Sequence, residues 1–116
     1  MKISELFNVS GKVAIVTGGS RGIGEMIAAG FLANGVKVYI TARKEAALIE
    51  KANELSAKYA CECIPVPCDL STMEGMTNFV NFIESAEEHI DFLINNAGAS
   101  WLSLIHISEP TRRTDI

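Results

Sequence analysis

Basic residues, long apolar runs and cysteines are all scarce in this sequence of 116 residues. Lys and Arg number 10 against 14 Asp and Glu, a formal net charge of −4, so the chain lacks the positive surplus that binds nucleic acid or an anionic membrane. No apolar run approaches the ~20 residues that span a bilayer. The first residues also lack the apolar core and cleavage site of a secretory leader. We therefore expect a cytoplasmic protein.

The three cysteines, Cys61, Cys63 and Cys68, are an odd number in a chain that we expect to be intracellular, which argues against a disulfide framework. Cys-x-Cys without a second pair of ligands is weak evidence for a metal site, so we expect no metal. Because Cys61 and Cys63 alternate along a predicted strand, we interpret them as small apolar residues of the interior.

The glycine-rich stretch 17–24 separates two segments of different periodicity. Residues 12–16 form the continuous apolar run of a strand buried on both faces, whereas Ile23, Ile27 and Phe31 recur at helical spacing. A strand, a glycine turn and a helix aim the unpaired N–H groups and positive dipole end of the helix at a phosphate. No Gly-Lys-Ser/Thr ending is present, which excludes a P-loop. An ordinary glycine-rich connection is the alternative.

Three glycines of this stretch have a predicted purpose. Gly18 allows the sharp turn off the strand, Gly22 lets a pyrophosphate approach bare backbone, and Gly24 lets the helix pack close to the sheet.

The rest of the chain repeats the same alternation of strand and helix. Further strands are predicted at 36–42, 61–66 and 90–95, the third ended by prolines. A second helix is expected at 44–59, and a third begins at Ser71, where Glu74 completes a capping box. Their predicted buried residues are Leu48, Ala52, Leu55 and Tyr59 in the second helix, and Met76, Phe79, Val80 and Ile83 in the third. This pattern predicts an α/β fold with a doubly wound parallel sheet in strand order 3-2-1-4.

Two motifs carry a family resemblance. Thr17-Gly-x-x-x-Gly-Ile-Gly24 is followed much later by Asn95-Asn96-Ala97-Gly98, and together they resemble the short-chain dehydrogenase/reductase family from residue 11 to residue 101. The resemblance implies a Rossmann-like fold, here truncated to its first four strands and three helices. It also implies an oxidoreductase that uses a nicotinamide dinucleotide.

The family's catalytic Tyr-x-x-x-Lys is missing from this sequence. Arg43 lies four residues after Tyr39, and Cys63 lies four residues after Tyr59. The tyrosine would protonate the carbonyl oxygen and the lysine would lower its pKa. We therefore assign no catalytic residue, and we expect this chain to be a cofactor-binding half that is inactive by itself.

The arginines indicate which dinucleotide is preferred. An acid at the end of the second strand would bind the ribose of NAD, but this chain has Arg43 there and Arg21 in the glycine turn. Two guanidinium groups favour the 2′-phosphate of NADP, so we predict NADPH over NADH, the alternative being two solvated surface arginines.

The resemblance implies further contacts with the cofactor. Asp69 would accept a hydrogen bond from the adenine amino group beside the backbone of Leu70, although simple turn chemistry also explains an aspartate there. The loop after the fourth strand would line the ribose. The cofactor-binding residues implied are Gly18, Ser20, Arg21, Gly22, Ile23, Gly24, Arg43, Asp69, Leu70, Asn95, Ala97 and Gly98.

Residues 25–30, Ala42-Arg43 and residues 95–101 are similar to the 3-oxoacyl-[acyl-carrier-protein] reductases of the rhamnolipid-synthesis type. The implied reaction is NADPH-dependent reduction of a carbonyl, of a 3-oxoacyl thioester in that subgroup, by a parent protein that is a homo-oligomer. The alternative is a non-catalytic NADP-binding or sensing module.

The segment after Trp101 differs from what precedes it. Residues 102–112 are similar to the in-frame translation of a transposase-derived sequencing adapter. We therefore predict that residues 1–101 form the N-terminal half of an NADP-binding Rossmann domain and that 102–116 are a non-native tail. A short edge strand at 102–107 is the alternative, and His106 is not assigned as a base.

Overall fold

In the computed structural model, which describes residues 8–96, four strands alternate with three helices. The elements in chain order are β1 (Val13–Thr17), α1 (Gly22–Ala33), β2 (Lys37–Ala42), α2 (Glu45–Tyr59), β3 (Cys63–Pro67), α3 (Met73–Ala86) and β4 (Phe92–Asn95). All strand pairs are parallel and the order across the sheet is β3-β2-β1-β4. The predicted doubly wound α/β fold is thereby confirmed.

Strand β1 lies at the centre and sets the register of its neighbours. Thr17 pairs with Thr41 at the end of β2 and with Asn95 at the end of β4, so the carboxyl ends of three strands meet at one edge. Every residue of β1 is buried, as in a parallel strand covered on both faces.

Successive residues of β1 point into two separate hydrophobic clusters on opposite faces of the sheet. Ala14 and Val16 pack with the inner faces of α1 and α2. Val13 and Ile15 pack with the inner face of α3, which includes Met76, Phe79 and Ile83. The first cluster thus lies between the sheet and the helices α1 and α2.

The buried face of α1 differs from the prediction by one residue. Ile23 is 68% exposed, and Phe31 is half-buried and stacks on Phe92 with ring centroids 5.1 Å apart. The buried residues are Gly24, Ala28 and Leu32. The shift arises because the start of α1 presses against the glycine turn, where only a residue without a side chain fits.

The predicted inner faces of the other two helices are largely correct. Leu48, Ala52 and Leu55 are buried in α2. Tyr59 is half-buried, and Val80 of α3, predicted to be internal, is 40% exposed.

The N-cap of α3 is Thr72 and not Ser71, so the predicted capping box is wrong. Thr72 Oγ1 accepts a hydrogen bond from the Gly75 N–H at 3.0 Å. Ser71 instead donates to Asp69 Oδ1 from its N–H at 3.0 Å and from its hydroxyl at 2.5 Å. Asp69 captures Ser71 because an Asp side chain readily bonds to the residue two positions later in a turn.

Strand β3 begins at Cys63, later than predicted, and its prolines lie inside it. Hydrogen bonds run from the Val38 N–H to Glu62 O and from the Cys68 N–H to Ala42 O. The backbone N–H and C=O groups of the even-numbered residues along β3 therefore face β2. The positions of Pro65 and Pro67 therefore face away from β2, on the edge side, where a missing N–H costs no hydrogen bond of the ladder.

Candidate cofactor site

The glycine turn after β1 leaves the strand through backbone that favours glycine. Gly18 has φ +69° and Gly22 has φ +63°, in the left-handed region. The Gly18 N–H donates to Thr41 O at 2.9 Å, which anchors the turn on β2. The turn is thus held at the edge where the carboxyl ends of β1, β2 and β4 meet.

The N-terminus of α1 is open to an anion. Its N-cap, Arg21, is extended and makes no side-chain cap hydrogen bond. Apart from its neighbours in the chain and the backbone of α1, no heavy atom lies within 4 Å of the place where a Cβ on Gly22 would be. First-turn N–H groups and the positive end of the dipole therefore face accessible space, the arrangement by which helices bind phosphate.

Two other glycines are required by close packing. A Cβ on Gly24 would lie 2.2 Å from Gly18 O, so Gly24 packs α1 against the turn itself and not, as predicted, against the sheet. A Cβ on Gly19 would lie 2.5 Å from Ile40 Cγ2. Gly19 has no place in the spacing of the motif, so sequence reasoning missed it.

The loop after β4 braces the glycine turn through a buried threonine. The Asn96 N–H donates to Thr17 Oγ1 at 2.8 Å, and Asn96 Nδ2 lies 3.5 Å from Gly18 O. Thr17 Oγ1 also lies 3.2 Å from Asn95 Oδ1. Asn95, a predicted site residue, therefore meets the turn, and Asn96 and Thr17, which were not assigned roles, connect the two motifs.

A cavity of about 740 Å³ opens between the turn, the end of β2 and α2. Its lining residues are Gly18, Ser20, Arg21, Ala42, Arg43, Lys44, Ala47, Glu50, Lys51 and Glu54. Gly18, Ser20, Arg21 and Arg43, predicted from distant parts of the sequence, are thus brought together. Lys44 and the α2 residues were not predicted, because the helical pattern of α2 indicates its buried face but not what its other residues line.

Lys51 joins the first turn of α1 to α2. Its Nζ lies 3.2 Å from Glu25 Oε2 and 3.2 Å from Glu54 Oε2. Hydrogen bonds with Glu25, and then with Glu54, raise the pKa of Lys51 above its ordinary value. The ammonium group is thus the partner of two carboxylates beside the cavity.

Asp69 and Leu70 do not line this cavity. The hydrogen bonds from Ser71 lower the pKa of the Asp69 carboxyl, and the positive charge of Arg43 lowers it further. Leu70 is 7% exposed and its side chain packs in the cluster under α3, so only its backbone is available for the predicted contact. Ala97 and Gly98 lie outside the described residues, as does the segment 102–116.

The thiols of Cys63, in β3, and Cys68, directly after β3, favour the protonated form. Burial raises the pKa of both Cys63 and Cys68 to about 11. Between residues 8 and 96, no three His, Cys, Asp or Glu side chains are grouped so that they could hold a metal ion.

None of the helices in the described part of the chain has the length and apolar character needed to cross a membrane.

Comparison with known proteins agrees with this geometry. The sequence matches the short chain dehydrogenase family over residues 12–114. The chain belongs to this family. It is 44% identical over 95 residues to the rhamnolipids biosynthesis 3-oxoacyl-[acyl-carrier-protein] reductase of Pseudomonas aeruginosa, an overlap of 82% of this chain and 36% of that relative. The resemblance stated from the sequence is confirmed.

Solved structures show the same architecture. The complex of Pseudomonas aeruginosa RhlG with NADP has a TM-score of 0.74 and 43% identity, covering 80% of this chain and 37% of that one. L-sorbose reductase from Gluconobacter frateurii, solved with NADPH and L-sorbose, has a TM-score of 0.75 and 39% identity, covering 79% and 35%. The short-chain dehydrogenase chain thus spans little more than a third of these proteins.

Proposed function

We propose that this chain binds NADP and is the cofactor-binding part of an NADPH-dependent short-chain oxidoreductase that reduces a carbonyl. The observation that carries the proposal is the cavity at the carboxyl edge of the sheet, where Arg21, Arg43 and Lys44 lie beside the open N-terminus of α1. The open N-terminus of α1 suits the pyrophosphate of NADP, and the three cations suit its 2′-phosphate.

The three cations select NADP over NAD by charge. NADP differs from NAD in a 2′-phosphate, and the residue directly after β2 is Arg43 where an NAD-binding site has a carboxylate. Charge-assisted hydrogen bonds of arginine to phosphate contribute about 1.5–3 kcal/mol each, and less where solvent screens them. Even one such contact decides the preference.

The solved relatives support this assignment, since RhlG was solved with NADP and L-sorbose reductase with NADPH. NADPH bound here supplies the hydride for carbonyl reduction. The residues of this chain hold it: the N-terminus of α1 binds the pyrophosphate, the arginines bind the 2′-phosphate, and Asn95 and Asn96 keep the turn in place. Asp69 and Leu70 border the adenine, and the loop residues Ala97 and Gly98 complete the ribose contact.

The substrate proposed for the whole protein is a 3-oxoacyl thioester. Its support is the 44% identity to the 3-oxoacyl-[acyl-carrier-protein] reductase. The catalytic Tyr-x-x-x-Lys of the family is not among these 116 residues, so we expect the chain to bind NADPH without turning over substrate. A homo-oligomeric, cytoplasmic parent protein completes the proposal.

Titration of the chain with NADPH and NADH, followed by calorimetry or by nicotinamide fluorescence, tests the proposal. We expect NADPH to bind at least about tenfold more tightly, which corresponds to ~1.4 kcal/mol from a retained phosphate contact. Arg43→Ala should weaken NADPH binding and leave NADH binding nearly unchanged. Equal affinities for the two dinucleotides would contradict the assignment.

A further inference from the structure

The wall of the cavity formed by α2 carries an unusual amount of negative charge for a site that receives a phosphate. Glu50 and Glu54 both line it. Glu25 stands in the first turn of α1, the turn that the proposed function aims at the cofactor phosphates. Two carboxylates therefore line a region that is proposed to accept an anion, and a third lies in the first turn of α1.

Lys51 lies between two of them and offsets part of their negative charge. Its ammonium group contacts Glu25 and Glu54 at 3.2 Å each, and its side chain is only 22% exposed. It also lines the cavity itself. A single cation thus links the α1 carboxylate to the α2 carboxylate along the side of the cavity.

The balance of charge shows what depends on Lys51. The lining has four cations, Arg21, Arg43, Lys44 and Lys51, and two carboxylates, Glu50 and Glu54. Without Lys51, three cations would face these two carboxylates, and Glu25 and Glu54 would both lose their contact with Lys51.

Charge acts here over a limited distance. Exposed charges interact appreciably within a Debye length, ~10 Å at 0.1 M ionic strength, and less as salt is added. A carboxylate of the wall therefore disfavours a phosphate bound within that distance of it, and salt weakens this effect.

We propose that Lys51 is a specificity-determining residue of this cavity, which favours binding of the 2′-phosphate of NADP by offsetting part of the negative charge of Glu25 and Glu54. The proposal rests on the proposed function and adds to it a residue that acts on the phosphate through the carboxylates. NADH, which has no 2′-phosphate, is the internal reference.

The test compares Lys51→Met with Lys58→Met in the full 116-residue chain. Lys58 is exposed in the last turn of α2 and does not line the cavity, and its replacement by Met changes the net charge by the same amount. At low salt we expect K51M to raise the Kd for NADPH about threefold to tenfold and the Kd for NADH less than about twofold. The difference should shrink at high salt, K58M should match the unaltered chain, and K51R should retain the preference.

A merely structural role for Lys51, as a clasp between α1 and α2, gives a different result. It would weaken NADH and NADPH binding alike, because the two share the pyrophosphate and adenosine contacts. Equal weakening, or no weakening, would overturn the proposal. If the unaltered chain itself shows no preference for NADPH, the proposed function fails, which is a separate outcome.

Glu54→Gln provides an independent measurement. Glu54 is 58% exposed, so this change does not threaten folding even if K51M prevents it. We expect E54Q to lower the Kd for NADPH and the double variant K51M/E54Q to recover most of the affinity lost in K51M. An unchanged NADPH affinity in E54Q would count against the proposal.

Discussion

Gly24 and Gly30 lie in the same helix, yet the space around them differs completely. A Cβ on Gly24 would clash with the backbone oxygen of Gly18 at 2.2 Å and with Asn96 Nδ2 at 2.9 Å. A Cβ on Gly30 would meet nothing within 4 Å. One glycine of α1 is therefore required by contact, whereas the other only adds backbone freedom to the unfolded chain.

The pair allows a matched prediction on stability. Gly24→Ala should lower the free energy of unfolding by about 1–3 kcal/mol, because backbone cannot retreat from the added methyl group. Gly30→Ala should raise it by about 0.5–1 kcal/mol, since alanine favours a helix. Urea denaturation followed by circular dichroism measures both. A Gly24→Ala chain as stable as the unaltered one would refute the packing role.

At this scale the sequence predicted the residues whose spacing is itself a signal. Gly18 and Gly22 have the positive φ that suits glycine, and Arg43 lines the same cavity as Arg21. It did not predict that Asn96 bonds to Thr17, because this contact joins residues 79 positions apart and depends on the register of β1 with β4. Periodicity carries no information on such a contact.

At the scale of elements, the errors came from segments in which several phases or caps suit the local pattern. Helix α1 is apolar on nearly every side, so Ile23 and Gly24 fit a buried face equally well until the turn beside them is known. Ser71 and Thr72 are both good N-caps, and the side chain of Asp69 decides between them. In both cases a neighbouring loop overrode the helix signal.

Glu87, which follows α3, ties that helix to β2. Its Oε2 lies 2.7 Å from Lys37 Nζ and accepts a hydrogen bond from the Tyr39 hydroxyl at 2.5 Å. The hydrogen bond from Lys37, followed by that from Tyr39, lowers the pKa of Glu87 below its ordinary value of 4.5. The folded state therefore favours the ionised carboxylate.

This contact predicts a particular dependence on acid. Because the folded pKa is lower than the unfolded one, the contribution of Glu87 is complete above pH 4.5 and is lost as the pH falls through the lowered value. Glu87→Gln should cost about 1 kcal/mol at pH 7 and flatten the fall in stability below pH 4.5. Denaturation midpoints from pH 7 to pH 2.5 measure it. The exposed neighbour provides the control, and an equal flattening in Glu88→Gln would contradict the assignment.

At the scale of the whole molecule, alternation of strand and helix was enough to predict the strand order, since parallel strands with right-handed crossovers leave few topologies. The alternation did not predict that α2 forms a wall of the cavity. The position of α2 depends on side-chain packing, for instance of Leu48 and Ala52 against β2.

Sequencing of the source DNA tests the predicted extent of the natural protein. The family match runs to residue 114, whereas we predict a non-native tail from residue 102. Resequencing the source DNA across the codon for Trp101 should show a reading frame that continues into a Tyr-x-x-x-Lys segment. If the codons for residues 102–116 are present and a stop codon follows, the tail prediction is wrong and the non-catalytic NADP-binding module becomes the better proposal.

The prolines of β3 determine at which edge the sheet can accept another strand. Along its outer side, the Cys63 N–H already donates to Ser56 Oγ at 3.0 Å, and Pro65 and Pro67 have no N–H to offer. A fifth strand, from this polypeptide or from another, would find no backbone donor on β3 with which to form a ladder. A further strand can therefore pair with β4 and not with β3, so one edge of the sheet is closed to strand addition.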